Sequence, residues 1–150
     1  MSNWYELNDT DRIDSPALLV YPNRMATNIT RLIDMVDGDT RRLRPHVKTN
    51  KLIQACQMMM DAGIDQFKCS TIAEAEMLAM AGAKDVLLAY QPVGPKIQRW
   101  TNLISTYPNT SFSCLVDDVV VIDALSKAAS EQSIVLSIYF DVDVGMGRTG

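Results

Sequence analysis

Arg42 to Lys51 reads RLRPHVKTNK and contains the only histidine of the 150 residues, His46, two positions before Lys48. On a strand, successive side chains alternate faces, so Leu43, Pro45 and Val47 would lie on one side and Arg44, His46 and Lys48 on the other. A lysine among cations has a definite chemistry. Positive neighbours and loss of water favour the neutral amine, and the neutral amine is the form that attacks a carbonyl. Lys48 is therefore a candidate nucleophile, with Arg44, His46 and the more distant Arg148 as the groups that would lower its proton affinity. A solvated basic strand face is the plain alternative. Other polar residues stand just after apolar runs: Gln91 follows VLLAY, and Asp143 and Arg148 lie in DVDVGMGRTG. Gly145, Gly147 and Gly150 of that last stretch let a backbone turn sharply or approach a ligand, and Arg148 is a permanent cation.

These residues need elements to position them. Met25, Ile29, Leu32, Ile33 and Val36 recur at helical spacing from Pro22 to Gly38, behind ALLVY (Ala17 to Tyr21), a short apolar run that reads as a strand after Ser15-Pro16. A strand ending at Lys48 comes next, then a helix carrying Leu52, Ile53, Cys56, Met59 and Met60 towards Gly63. QFKCS reads as a strand, and Thr71-Ile72-Ala73-Glu74 has the S/T-x-x-E form that satisfies free amides at a helix start. VLLAYQ, a helix from Lys96 to Tyr107, SFSCLV, a helix from Val119 to Ser130 and IVLSIYFDVDVG complete the alternation. Ala62-Gly63 and Ala81-Gly82 each close a helix just before a strand, the mark of a repeated βα unit.

Composition sets wider bounds. With 47% hydrophobic residues and a net charge of -4, the chain supports one globular core and does not suit a general nucleic-acid binder. No apolar run approaches the roughly 20 residues that span a bilayer, and the polar start MSNWYELNDTDRID is unlike a signal sequence, so a cytoplasmic location is expected. Cys56, Cys69 and Cys114 are odd in number and widely spaced, which predicts reduced, buried thiols. One histidine and scattered carboxylates supply no recognisable metal-ligand spacing.

Apolar strands joined by crossover helices build either an open doubly wound sheet or a (β/α) barrel. Length suits a flavodoxin-like open sheet of order 2-1-3-4-5. That domain would finish with a helix over its last strand, whereas this chain reaches Gly150 straight after the strand. The expectation is thus a (β/α)8 TIM barrel, of which about five strands lie here, since a whole barrel takes about 250 residues. Residues 1–22 form a leading segment and strand, 23–150 form the first part of the barrel, and the remaining barrel with a C-terminal β domain is expected beyond residue 150.

RPHVKTNK behind S-P-A-L-L-V, then FKCSTIAEAEMLAMAGA, VLLAYQPVG and DVDVGMGRTG, closely resembles the D-threonine aldolase and D-serine dehydratase group. That group shares the pyridoxal-phosphate barrel (fold type III) of the alanine racemase N-terminal domain. The resemblance runs from about Ile13 to Gly150 at four places in the same order. It implies that Lys48 carries pyridoxal 5'-phosphate as a Schiff base and that Arg148 approaches the cofactor's phenolic oxygen. Many members have His where this chain has Asn50, which bears on substrate preference. The candidate site is then Lys48 as catalytic residue, with Lys48, His46, Gln91 and Arg148 at the cofactor. The activity implied is cleavage of D-3-hydroxy amino acids to glycine and an aldehyde, with a divalent metal whose ligands lie beyond residue 150. D-serine dehydration, racemisation and a non-catalytic pyridoxal-phosphate carrier are the alternatives. A homodimer is expected for the full-length protein.

Overall fold

Pro22 starts the first helix, α1 (Pro22–Asp34), where its missing N–H costs nothing, and the amide of Gly38 closes the far end on the carbonyl of Ile33. Residues 3–150 are described in this computed structural model; Met1 and Ser2, the first residues of the expected leading segment, lie outside the described residues. The alternation then follows: α2 (Ile53–Asp61), β1 (Gln66–Cys69), α3 (Ile72–Ala81), β2 (Asp85–Leu88), α4 (Pro95–Thr106), β3 (Ser111–Val116), α5 (Val119–Glu131) and β4 (Ser137–Phe140). The two Ala-Gly closures share one geometry. Gly63 (φ 87°) and Gly82 (φ 93°) are left-handed, and the amides of Ile64 and Ala83 reach back to the carbonyls of Met59 and Leu78.

All strand pairs are parallel and the sheet order is β1-β2-β3-β4. One face of the sheet is dry: Phe67, Cys69, Val86, Leu88, Phe112, Cys114 and Val116 are all buried. Helices cover that face, with α2 against α3, α3 against α4 and α4 against α5 in succession. Trp100 of α4 is fully buried edge-on to Phe112, with ring centroids 5.5 Å apart. Each such side chain contributes about 1.5–3 kcal/mol through burial. Strands ordered as in the chain, with helices on one face, define a segment of a (β/α) barrel. The flavodoxin-like order 2-1-3-4-5 is excluded.

Two expected strands differ. ALLVY forms no ladder, and Leu18 is 73% exposed, because no strand lies beside it among the described residues. The expected strand ending at Lys48 shrinks to a single parallel bridge, His46 with Lys68. Pro45 has no N–H to give, although its carbonyl accepts from the Lys68 amide at 2.8 Å. His46 then bends the chain: its Nδ1 accepts from the Lys48 amide at 3.2 Å and caps a 3-10 turn, Val47–Thr49. Among the described residues four strands and this rudiment stand where five strands were expected. The three cysteines are buried and free, and burial pushes the Cys69 thiol up to about 12.

Candidate active site

The inner face of the sheet carries the alternate residues, Gln66 and Lys68 of β1, Asp85 and Leu87 of β2, Ser113 and Leu115 of β3. His46 lies beside Lys68 at the edge of this face. Burial lowers the His46 pKa, and the charges of Lys48 and Lys68 lower it further against the opposing carboxylate of Glu74. A neutral imidazole suits its place, because Nδ1 must stay unprotonated to accept the Lys48 amide. Val47 is fully buried and anchors the turn, while Lys48 next to it is exposed just past the bridge. No ion pair or side-chain hydrogen bond engages the Lys48 amine among the described residues.

Lys51, three residues after Lys48, lies outside any helix. It precedes α2 with φ 47°, and its Nζ is 3.4 Å from Glu74 Oε1. The Glu74 side chain is 5% exposed. Burial alone would raise its pKa, but hydrogen bonds from the Ser70 amide (2.8 Å) and hydroxyl (2.9 Å), with Lys51, bring it below the ordinary value. The expected capping box is half present. Thr71 Oγ1 accepts from the Glu74 amide at 3.1 Å, but the glutamate returns to Ser70 instead of Thr71.

Gln91, Asp117, Asp143 and Arg148 gather past the C-terminal ends of β2, β3 and β4. Gln91 Oε1 accepts from the Asp117 amide at 3.3 Å, and Asp117 Oδ2 accepts from the Gly150 amide at 3.0 Å. Asp143 Oδ1 accepts from the amides of Gly147 (3.0 Å) and Gly145 (2.9 Å), which hold its pKa below the usual carboxylate value. Gly145 (φ 116°) and Gly147 (φ 64°) take the left-handed backbone that lets both amides converge. Arg148 stands exposed on this loop. His46 and Lys48 are therefore together, Gln91 is tied to the Arg148 loop through Asp117, and no hydrogen bond joins the two groups among the described residues.

Arg44 is a correction. Instead of neighbouring the Lys48 amine, it grips Asp85 at 2.6 and 2.8 Å and Gln66 at 3.1 Å, at the first residues of β2 and β1. This is the opposite end of the strands from Lys48, the end where (β/α) barrels keep stabilising contacts. Lys68, Glu74 and Asp117 were missed as site neighbours. Alternation along QFKCS could have found Lys68; Glu74 was read only as a cap, and Asp117, between SFSCLV and the helix from Val119, drew no reading.

Strand ends that present an unpaired amine, a neutral imidazole and an arginine on a glycine-rich loop define a half-barrel with a polar mouth. The chain belongs to the alanine racemase N-terminal domain family, whose pattern matches residues 20–150. It is 31% identical over 144 residues to the 3-hydroxy-D-aspartate aldolase of Paracoccus denitrificans (strain Pd 1222), covering 95% of this chain and 37% of that protein. The D-threo-3-hydroxyaspartate dehydratase of Delftia sp. (strain HT23) is 29% identical over 138 residues, covering 92% of this chain and 36% of that protein. The D-threonine aldolase structure from Filomicrobium marinum superposes with a TM-score of 0.81 at 27% identity, covering 91% of this chain and 37% of the other. The fold is thus that of a TIM barrel, and the chain spans a little over a third of the length of the curated relatives it matches.

Proposed function

We propose that this chain is the lysine-bearing part of a pyridoxal-phosphate lyase that cleaves D-3-hydroxy amino acids to glycine and an aldehyde. One observation carries the reading: two lysines stand three residues apart, and only Lys51 is committed to a carboxylate. Lys48 remains available at the mouth to take the cofactor's carbonyl. When bound, pyridoxal phosphate supplies an electron sink for bonds at the substrate's α carbon. The chain's own residues orient and hold. Neutral His46 fixes the Lys48 backbone, and Arg148 would face the cofactor's phenolic oxygen with a charge it cannot lose. Gln91, through Asp117, steadies the Arg148 loop.

Among the described residues no cluster of three His, Cys, Asp or Glu could hold a metal ion. A solved structure of a D-threo-3-hydroxyaspartate dehydratase mutant is of a metal-free form, which supports a divalent metal in this protein on ligands outside these residues. Among the described residues no helix is long and apolar enough to cross a membrane. The reading extends to a cytoplasmic enzyme for a small amino-acid substrate, working as a homodimer. Dehydration is the second reading, favoured by the similarity to the dehydratase.

Full-length protein loaded with pyridoxal phosphate, reduced with borohydride and mapped by peptide, should carry its label on Lys48. A label on Lys51, or none, would sink the assignment. Incubation with a D-3-hydroxy amino acid should release glycine and aldehyde; a keto acid with ammonia would select the dehydratase instead.

A further inference from the structure

We infer that the Lys51–Glu74 ion pair holds the Lys48 turn against the sheet, making Lys51 and Glu74 positioning residues for the Lys48 amine. The inference rests on the reading of Lys48 as the cofactor lysine. Lys48 lies between two anchors. On one side Val47 is fully buried; on the other Lys51 closes the turn, its amide donating to the Val47 carbonyl at 2.9 Å. Closing it puts Lys51 at φ 47°, a left-handed conformation that is strained for a lysine. Something must offset that strain, and the Lys51 side chain, 62% exposed, touches one carboxylate.

That carboxylate is unusually rigid. The Ser70 amide and hydroxyl fix both its oxygens, Thr71 caps the backbone of the same residue, and α3 behind it packs through fully buried Ala75 and Leu78. Ser70 follows β1 directly, so Glu74 ties the end of β1, the start of α3 and the Lys48 turn into one unit. The exposed Arg41–Asp39 pair, two residues apart on one turn, links nothing of the kind.

The test uses Lys51→Met and Glu74→Gln in the full-length protein, read by the affinity for pyridoxal phosphate and by the yield of borohydride label on Lys48. Both should bind the cofactor about tenfold more weakly and label Lys48 in lower yield, since small displacements of a reacting group carry large costs. Lys51→Arg should restore both readouts to within about twofold of wild type, and Arg41→Ala should change neither. Should Lys51→Met fail to fold, Glu74→Asp decides, because it keeps the charge and shortens the reach by one carbon. Lower Lys48 labelling at an unchanged melting temperature supports positioning. Wild-type affinity and labelling in these variants overturns it. A wild-type protein that takes no label on Lys48 removes the cofactor reading itself, a result distinct from unaltered variants.

Discussion

The two edges of the sheet are built in opposite ways. At β1 the edge is closed by the His46 bridge and the Pro45 carbonyl, and the turn beyond it is tied to a buried glutamate. At β4 every residue is exposed, Phe140 by 72%, and past the Asp141 amide, which donates to the Val116 carbonyl at 2.8 Å, the loop that follows is held by the carboxylates of Asp143 and Asp117 accepting from its amides. Lys48 stands on the first edge and Arg148 follows the second. A nucleophile must be placed to a fraction of an ångström, whereas a long arginine can reach from a looser loop, so the rigidity lies where the covalent chemistry is proposed.

Lys48→Ala gives the sharpest break in this contrast: all covalent cofactor label and all lyase turnover should vanish, measured by visible absorbance and product release. Arg148→Ala should follow, lowering turnover roughly a hundredfold with the label still on Lys48, and Arg148→Lys should recover little of it. If Arg148→Ala is as active as wild type, the loop after β4 has no part in the site. The open edge itself is testable. The 150 residues expressed alone should self-associate through β4, and a monomeric, cooperative melt would refute that.

Smaller effects divide stability from chemistry. Arg44→Met leaves half-buried Asp85 and Gln66 without their partner, so the full-length protein should lose about 1–3 kcal/mol in denaturant titration while keeping its cofactor affinity. A fall in affinity without a fall in stability would return Arg44 to the mouth. His46→Ala should act most gently, weakening cofactor retention a few-fold with the fold intact. Its pKa in the folded protein lies below the ordinary 6.5, so the unfolded chain binds more protons and stability falls as pH drops through about 6.5. Protonation at Nδ1 would also end its hydrogen bond to the Lys48 amide. In His46→Ala that part of the acid sensitivity should disappear; an unchanged pH profile would show that other groups carry it.

Helical periods, the Ala-Gly closures, the Thr71 cap and the alternation of strands with helices were legible in the residues themselves. They depend on contacts within a few positions of one another, which local spacing encodes. The family's fold and the choice of Lys48 as the candidate nucleophile were legible too, through RPHVKTNK and the order of the later stretches. Strand lengths were not, because a strand exists only where a neighbour offers a ladder: ALLVY has none among the described residues, and Pro45 with the His46 cap cuts the next one to a bridge. Nor was the fate of the charges. Arg44 meets Asp85 across 41 positions, and Lys51 meets a glutamate on the following βα unit. In sequence Arg44, Lys48 and Lys51 are cations of one basic cluster, and nothing along the chain says which of them meets a carboxylate. Only the packing of β1, β2 and α3 decides which of them are neutralised by buried or half-buried carboxylates and which amine is left at the mouth, because the energy of a charge depends on its surroundings rather than on its neighbours along the chain.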